Sequence, residues 1–251
     1  MAQQPSGPLA GNELLTNERD FLSNISGWYK NTDWGFYTKI VWYSYVSVKP
    51  FFVGSSCLEM GPADGEMTKF LAGDFASLSV VDASPRFVAA AEALAPNVTG
   101  HVSLFEEFSP PESYDTIVMS HVLEHVAHPV AVLEQARSWL RAGGRIIAIV
   151  PNADSLHRRL GVKLGMLQGQ NQLNEQDIEI GHRRVYNREE FDRDVLSARL
   201  RIVAKGGIFL KLLSNNQMLM FDDDKLIYGM FELGKDLPQL CSEIYSICVA
   251  D

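Results

Sequence analysis

In the run Glu59-Met60-Gly61-Pro62-Ala63-Asp64-Gly65 an acid stands two residues ahead of a small-residue turn, and Asp82 ends a second apolar run 21 residues after Gly61. The apolar residues before Glu59 read as a buried strand. Gly61, Ala63 and Gly65 then let the backbone turn tightly and approach a ligand closely. An acid at the spacing of Asp82 is where a mononucleotide-binding unit holds ribose hydroxyls. The two segments together predict an adenosine-containing cofactor. A dinucleotide would need Gly-x-Gly-x-x-Gly so that bare backbone and a helix N-terminus face its pyrophosphate, whereas here the middle glycine is Ala63 and the last is Glu66. Glu59 suits a cofactor that carries an ammonium group and no phosphate.

With those residues the chain resembles the class I S-adenosylmethionine-dependent methyltransferases of the bacterial small-molecule type, whose first motif is acid-x-Gly-x-Gly-x-Gly. The resemblance continues in order through Asp82, Tyr114-Asp115-Thr116-Ile117-Val118, Leu123-Glu124-His125-Val126 and Leu140-Arg141-Ala142-Gly143-Gly144-Arg145, and covers roughly residues 51–210. It implies that Glu59 faces the amino-acid end of S-adenosylmethionine, that Gly61, Pro62, Ala63 and Gly65 form the turn beneath it, and that Asp82 accepts the ribose hydroxyls beside Ala83. Phe105 is expected to contribute backbone or ring contact, Glu106 is the nearest acceptor for the adenine, and Ser120 and His121 complete the cofactor site. S-adenosylhomocysteine would be the product.

Histidines supply the candidate acid–base chemistry. His121 falls at the end of the fourth strand, where open parallel sheets bind ligands. His125 follows four residues later, and His182 lies in a second cluster, Gly181-His182-Arg183-Arg184-Val185-Tyr186. An ordinary imidazole titrates near pH ~6.5, which suits proton removal. All three are candidate catalytic residues, although His125 reads more readily as structural. His121-x-x-Glu124-His125 also matches an inverted zinc-protease pattern. That pattern needs one helix to present both histidines, and here the segment starts at a strand end, so no metal is expected. Similarity to the ubiquinone-pathway O-methyltransferases implies an acid at the first position that helps to hold a divalent cation; His121 stands there instead. The paired clusters Leu156-His157-Arg158-Arg159 and 181–186 read either as a solvated basic face or as a lid bringing His182, Arg183 and Tyr186 to an acceptor, with the arginines drawing an anionic group.

These residues need a scaffold. From about residue 56 short apolar runs alternate with amphipathic stretches, the pattern of a parallel sheet with crossover helices. Strands are expected to end near Met60 and to cover Leu78–Val81, Thr116–Ser120, Ile146–Val150, Arg201–Phe209 and Ile244–Val249. Helices are expected from Asp64 to Ala72, from Pro85 behind an N-cap at Ser84 through Ala95, and from Pro129 until Gly143-Gly144 stops it. Asn187 with Glu190 forms a capping box for another. The predicted fold class is α/β, a Rossmann-like three-layer sandwich with a seven-stranded, mostly parallel sheet whose last strand is antiparallel. Residues 1–13 read as a disordered tail and 14–52 as an aromatic-rich helical cap. Residues 53–251 form the cofactor-binding domain, with lid insertions near 152–187 and 214–240. Tyr29 and Tyr37 are the preferred pocket residues of the cap because each adds a hydroxyl to an apolar ring.

Composition narrows the partners. The chain has 251 residues, 46% hydrophobic content and a formal charge of −9, which disfavours a nucleic-acid backbone. No apolar run reaches the ~18–20 residues of a membrane span, and no signal pattern opens the chain, so a cytoplasmic location is expected. Cys57, Cys241 and Cys248 are few, odd in number and set among apolar residues, as reduced packing cysteines are. The expected activity is methyl transfer to an oxygen, nitrogen or activated carbon of a small-molecule acceptor, a secondary metabolite or sugar-like compound, by a monomer or homodimer. Two other classes compete: an NAD-type oxidoreductase, separable by titration with NAD against S-adenosylmethionine, and a non-catalytic binding protein of the same fold.

Overall fold

A computed structural model describes residues 35–221 and 223–250 of the chain. Seven strands form one sheet in the order β3-β2-β1-β4-β5-β7-β6. They are β1 (Ser56–Met60), β2 (Ser77–Asp82), β3 (Val98–Val102), β4 (Tyr114–Ser120), β5 (Leu140–Pro151), β6 (Leu200–Ile208) and β7 (Glu243–Ala250). β1 to β5 pair in parallel, and β7 runs antiparallel to both β5 and β6. The central strands are buried on both faces, as an apolar run such as Ile146–Val150 demands. This is the sheet the sequence predicts, antiparallel last strand included.

Nine helices are described: α1 (Gly35–Val48), α2 (Glu66–Asp74), α3 (Pro85–Glu92), α4 (Pro129–Ser138), α5 (Leu156–Lys163), α6 (Glu175–Glu179), α7 (Arg188–Ser197), α8 (Asn215–Met218) and α9 (Asp224–Asp236). One sheet face packs a core of Leu133, Trp139, Phe191 and Val195 from the α4 and α7 side; the other packs Phe36, Ile40 and Phe231 from α1 and α9. The aromatic residues of α1 serve this second core, with Tyr43 stacked on Phe231 at 4.4 Å and Phe36 edge-on to Phe209 at 5.5 Å. Phe51 and Phe52 pack against the same core, and the part of the aromatic block before residue 35, including Tyr29, lies outside the described residues. None of the described helices is long and apolar enough to cross a membrane.

Local chemistry explains the boundaries. Asn187 accepts from Glu190 N and Glu190 answers the Asn187 amide, the reciprocal cap expected for α7. Gly143-Gly144 does not stop α4, which ends at Ser138. The Trp139 carbonyl is taken by Tyr114 N at 2.8 Å, so strand pairing begins at Leu140. The glycines lie inside β5 at a register shift, Gly143 at φ +80° and Gly144 pressed so closely on Asp115 that a Cβ would sit 2.9 Å from its carbonyl oxygen. Ser84 precedes α3 as expected, but its side chain makes no capping bond.

Candidate functional site

The C-terminal ends of β1, β2, β4 and β5 open at one edge of the sheet, and three adjoining cavities lie along it. After β1, Gly61 turns at φ +70° and donates its N–H to Val81 O at 2.9 Å, tying the turn to β2. A Cβ on Gly61 would meet Val122 at 3.1 Å, so close backbone approach also requires glycine there. Ala63 sits at φ +47°, a left-handed conformation that costs a residue with a Cβ roughly 1–2 kcal/mol. Gly65, at φ +83°, closes the turn through its N–H to Pro62 O at 2.8 Å and lines neither of the two cavities on this side of His121.

The first cavity is lined by Gly61, Asp82, Ala83, Phe105, Glu106 and His125, among others. Asp82 Oδ1 accepts from Ser84 N at 2.7 Å, yet burial outweighs that bond and lifts its carboxyl to about 7. The second cavity brings Glu59, Pro62, Ala63 and Ser120 together with Tyr37 of α1. Glu59 is 1% exposed and accepts one bond, from Thr68 Oγ1 at 2.6 Å. Burial likewise raises it to about 7. Among the described residues each of these carboxylates accepts one side-chain hydrogen bond and pairs with no cation, which leaves both with acceptor capacity to spare.

The third cavity lies on the far side of His121 and holds Tyr37, His125, His157, His182, Lys211 and Glu243 among its lining residues. Its space, about 1020 Å³ including the open mouth, suits a small molecule. His121 borders all three cavities. It leaves β4 at φ +57° with its N–H on Ile149 O at 2.9 Å, and its ring is clamped between Glu124 Oε1 at Nδ1 and Glu243 Oε1 at Nε2, each 3.0 Å away. Burial alone would depress the imidazole, but Glu243 and Glu124 overcome it and hold the ring protonated to about 10. His121 therefore has no lone pair to offer as a base at neutral pH. Ser44 on α1 donates to Glu243 Oε2 at 2.7 Å, fastening the clamp to the helix.

His125 and His182 pack edge to face at 4.7 Å. Burial pushes His125 down to about 4, leaving it neutral. His182 Nδ1 lies 3.1 Å from Asp177 Oδ1, with Nε2 4.0 Å from Glu124 Oε1. The three histidines singled out from sequence thus converge. Among the described residues Glu124, His125 and His182 also have ligand atoms within 4.8 Å of one another, close enough to hold a metal ion; two of the three come from the 121–125 segment and His182 from the second cluster.

The basic clusters behave differently from the anion-attracting lid. Arg183 donates to His125 O at 2.7 Å, and Arg184 reaches the carbonyls of Leu123 and Val126 at 2.7 and 2.5 Å. Arg158 is buried against Gln170 O, Gln172 O and Asp177. Tyr186 is 2% exposed, packs in the core and donates to Asp194 at 3.0 Å. Arg183 and Tyr186 consequently lie outside the lining of the third cavity: the His125 carbonyl holds the guanidinium, and the core claims the ring. Tyr37 does reach it and meets the His121 ring at 6.3 Å. Glu243 and Lys211 went unnoticed in the sequence, because each lies in an apolar stretch near the antiparallel hairpin, far from any motif.

Comparison with known proteins agrees with this geometry. A 108-residue stretch, 41% of the chain, is 28% identical to a ubiquinone biosynthesis O-methyltransferase from Xanthomonas euvesicatoria, and spans 45% of that protein. The fold matches the crystal structure of the N-methyltransferase NodS from Bradyrhizobium japonicum with S-adenosyl-L-homocysteine at TM-score 0.55 and 16% identity, over 93% of this chain and 96% of that one. It also matches a DhpI complex with SAH at TM-score 0.61 and 13% identity, over 96% and 98%. The family model for a methyltransferase domain fits residues 41–205. Over residues 41–205, which take in the turn after β1 and His121, the chain belongs to the methyltransferase-domain family.

Proposed function

We propose that the protein transfers a methyl group from S-adenosylmethionine to a small-molecule acceptor held in the third cavity. The observation that carries this reading is His121 at the junction of all three cavities, with donor-seeking carboxylates on one side and a polar chamber on the other. The residues fit the cofactor. Glu59 suits its ammonium, Asp82 its ribose hydroxyls, and Phe105 and Glu106 line the space left for the base. When bound, S-adenosylmethionine supplies a methyl group already activated on a sulfonium.

What remains for the chain is mostly placement, which can be worth ~7–11 kcal/mol. Tyr37 and His121 form the partition through which donor and acceptor sides meet. Neutral His125 and the Asp177-oriented His182 are the groups able to accept a proton from an acceptor hydroxyl or amine, typically adding ~10²–10⁴-fold. The His121 imidazolium fixes Glu124 and Glu243 in position. The likeness to an O-methyltransferase favours an oxygen acceptor. The segments 152–187 and 214–240 act as the acceptor-side lid in this reading, and the aromatic helix α1 as its cap.

The test is calorimetric titration of the full chain with S-adenosylmethionine, S-adenosylhomocysteine and NAD, followed by a metabolite screen with methyl-labelled cofactor. Tight binding of the sulfonium compounds and label transfer are expected. Binding of NAD alone would overturn the proposal.

A further inference from the structure

Lys211 follows β6 by three residues and reaches the acceptor-side cavity with a side chain that is 7% exposed. Its ammonium bonds to Asn215 Oδ1, and no carboxylate among the described residues pairs with it. The carboxylate whose charge reaches it, Glu243, has both oxygens engaged, one by His121 and one by Ser44. A buried ammonium without a counter-ion is costly unless a ligand supplies one. Burial accordingly lowers Lys211 to about 8, so it still carries its charge at neutral pH.

A second unmet group lines the same cavity. His157 Nδ1 is buried without a hydrogen-bond partner, and its ring, depressed to about 2 by burial and then by Lys211 and Arg158, is neutral. The other basic groups facing this space are spoken for: Arg158 by Asp177 and two carbonyls, His182 by Asp177, and His121 by Glu124 and Glu243. The carboxylates that line this cavity are engaged, Glu243 by His121 and Ser44 and Asp177 by Arg158 and His182. That leaves the Lys211 cation without a carboxylate partner and the His157 nitrogen unsatisfied on the same wall.

We infer that the acceptor carries an oxyanion, a carboxylate or a phosphate, whose seat is Lys211 with His157 and Asn215. The inference rests on the proposed methyltransferase reading and deepens it, moving anion recognition from the arginines of the lid to a residue after β6. A carboxylate or phosphate oxygen would accept from the Lys211 ammonium and from His157 Nδ1 in its N–H tautomer, satisfying both at once. The anion would tether the acceptor, leaving its nucleophile free at the His121 junction.

The experiment uses the full chain saturated with S-adenosylhomocysteine and titrated by calorimetry with acetate, with inorganic phosphate and with acetamide as the neutral counterpart of acetate. Lys211→Gln and Lys211→Arg are run in parallel. At least one anion should bind the wild type in the millimolar range, weaken by about tenfold or more in Lys211→Gln, and recover in Lys211→Arg, with acetamide silent throughout. Equal anion binding by wild type and Lys211→Gln, or none by the wild type, overturns the inference. S-adenosylhomocysteine affinity is read separately. Its loss in the wild type refutes the methyltransferase reading, while the anion titration repeated without it still decides the Lys211 seat. Should Lys211→Gln fail to fold, the Lys211 ammonium resonance of the wild type decides: movement on adding phosphate supports the seat, and an unmoved resonance overturns it.

Discussion

Glu59→Gln should make the ligand-free protein more stable and its cofactor binding weaker. Glu59 is 1% exposed, accepts a single hydrogen bond from Thr68, and titrates near 7 against an ordinary 4.5 because burial disfavours its charge. Between those two pH values the folded chain holds a proton that the unfolded chain has lost. The unfolded state therefore binds fewer protons, and unfolding free energy falls as pH rises through that window. At about 1.36 kcal/mol per pH unit, the loss approaches about 3 kcal/mol once pH passes 7. Glutamine keeps an acceptor for Thr68 and has no charge to bury. At pH ~8 urea denaturation should place the variant about 1–3 kcal/mol above wild type, and near pH ~5 the advantage should vanish. Calorimetry with S-adenosylhomocysteine should move the other way, losing about 10–100-fold because the ammonium of the ligand has lost its ion pair. Equal stability at both pH values, or unchanged affinity, would refute the reasoning.

Other perturbations probe neighbouring contacts. Ala63→Gly removes a Cβ from φ +47° and should raise stability by about 0.5–1 kcal/mol after the added chain entropy of glycine is deducted, measured by urea denaturation. His121 contributes stability that is complete below its unfolded value of 6.5 and is lost as pH rises through about 10; His121→Gln should flatten that alkaline decline, which thermal melts between pH ~7 and ~10 would show. Arg184→Met strips donors from the carbonyls of Leu123 and Val126 and should cost about 2–4 kcal/mol, with faster amide exchange over residues 121–127 as the local readout. Replacing Glu243 by glutamine should release His121 from one side of its clamp and lower the rate of label transfer while S-adenosylhomocysteine affinity stays near that of the wild type.

The turn after β1 was legible because its geometry is local. Glu59, Gly61 and Asp82 lie within one β-α-β unit, where a strand, a turn and a spacing carry their own geometry. The histidine junction was partly legible: His121 announced itself at a strand end, but its clamp depends on Glu243, 122 residues away, and no periodicity encodes that pairing. Arg183 and Tyr186 were read as substrate residues because a basic cluster looks the same whether it faces a ligand or its own carbonyls. Only tertiary contact distinguishes the two. Gly143-Gly144 shows the same limit, since a helix stop and a strand bulge call for similar residues.

Because β7 runs against its neighbours, its first residue arrives at the edge where the parallel strands finish. One reversed strand thus lets the last third of the chain deliver Glu243, and the loop after β6 deliver Lys211, to a junction prepared by the first half. The two contributions meet at His121 through Glu243, and again where Asn152, just past β5, donates its side-chain amide to the Gln239 and Cys241 carbonyls. Under the proposed reading the third cavity is therefore walled jointly: Tyr37, His125, His157 and His182 come from earlier in the chain, Lys211 and Glu243 from its end. Rewriting residues 209–243 would then reshape one wall of that cavity and leave the turn after β1 as it is.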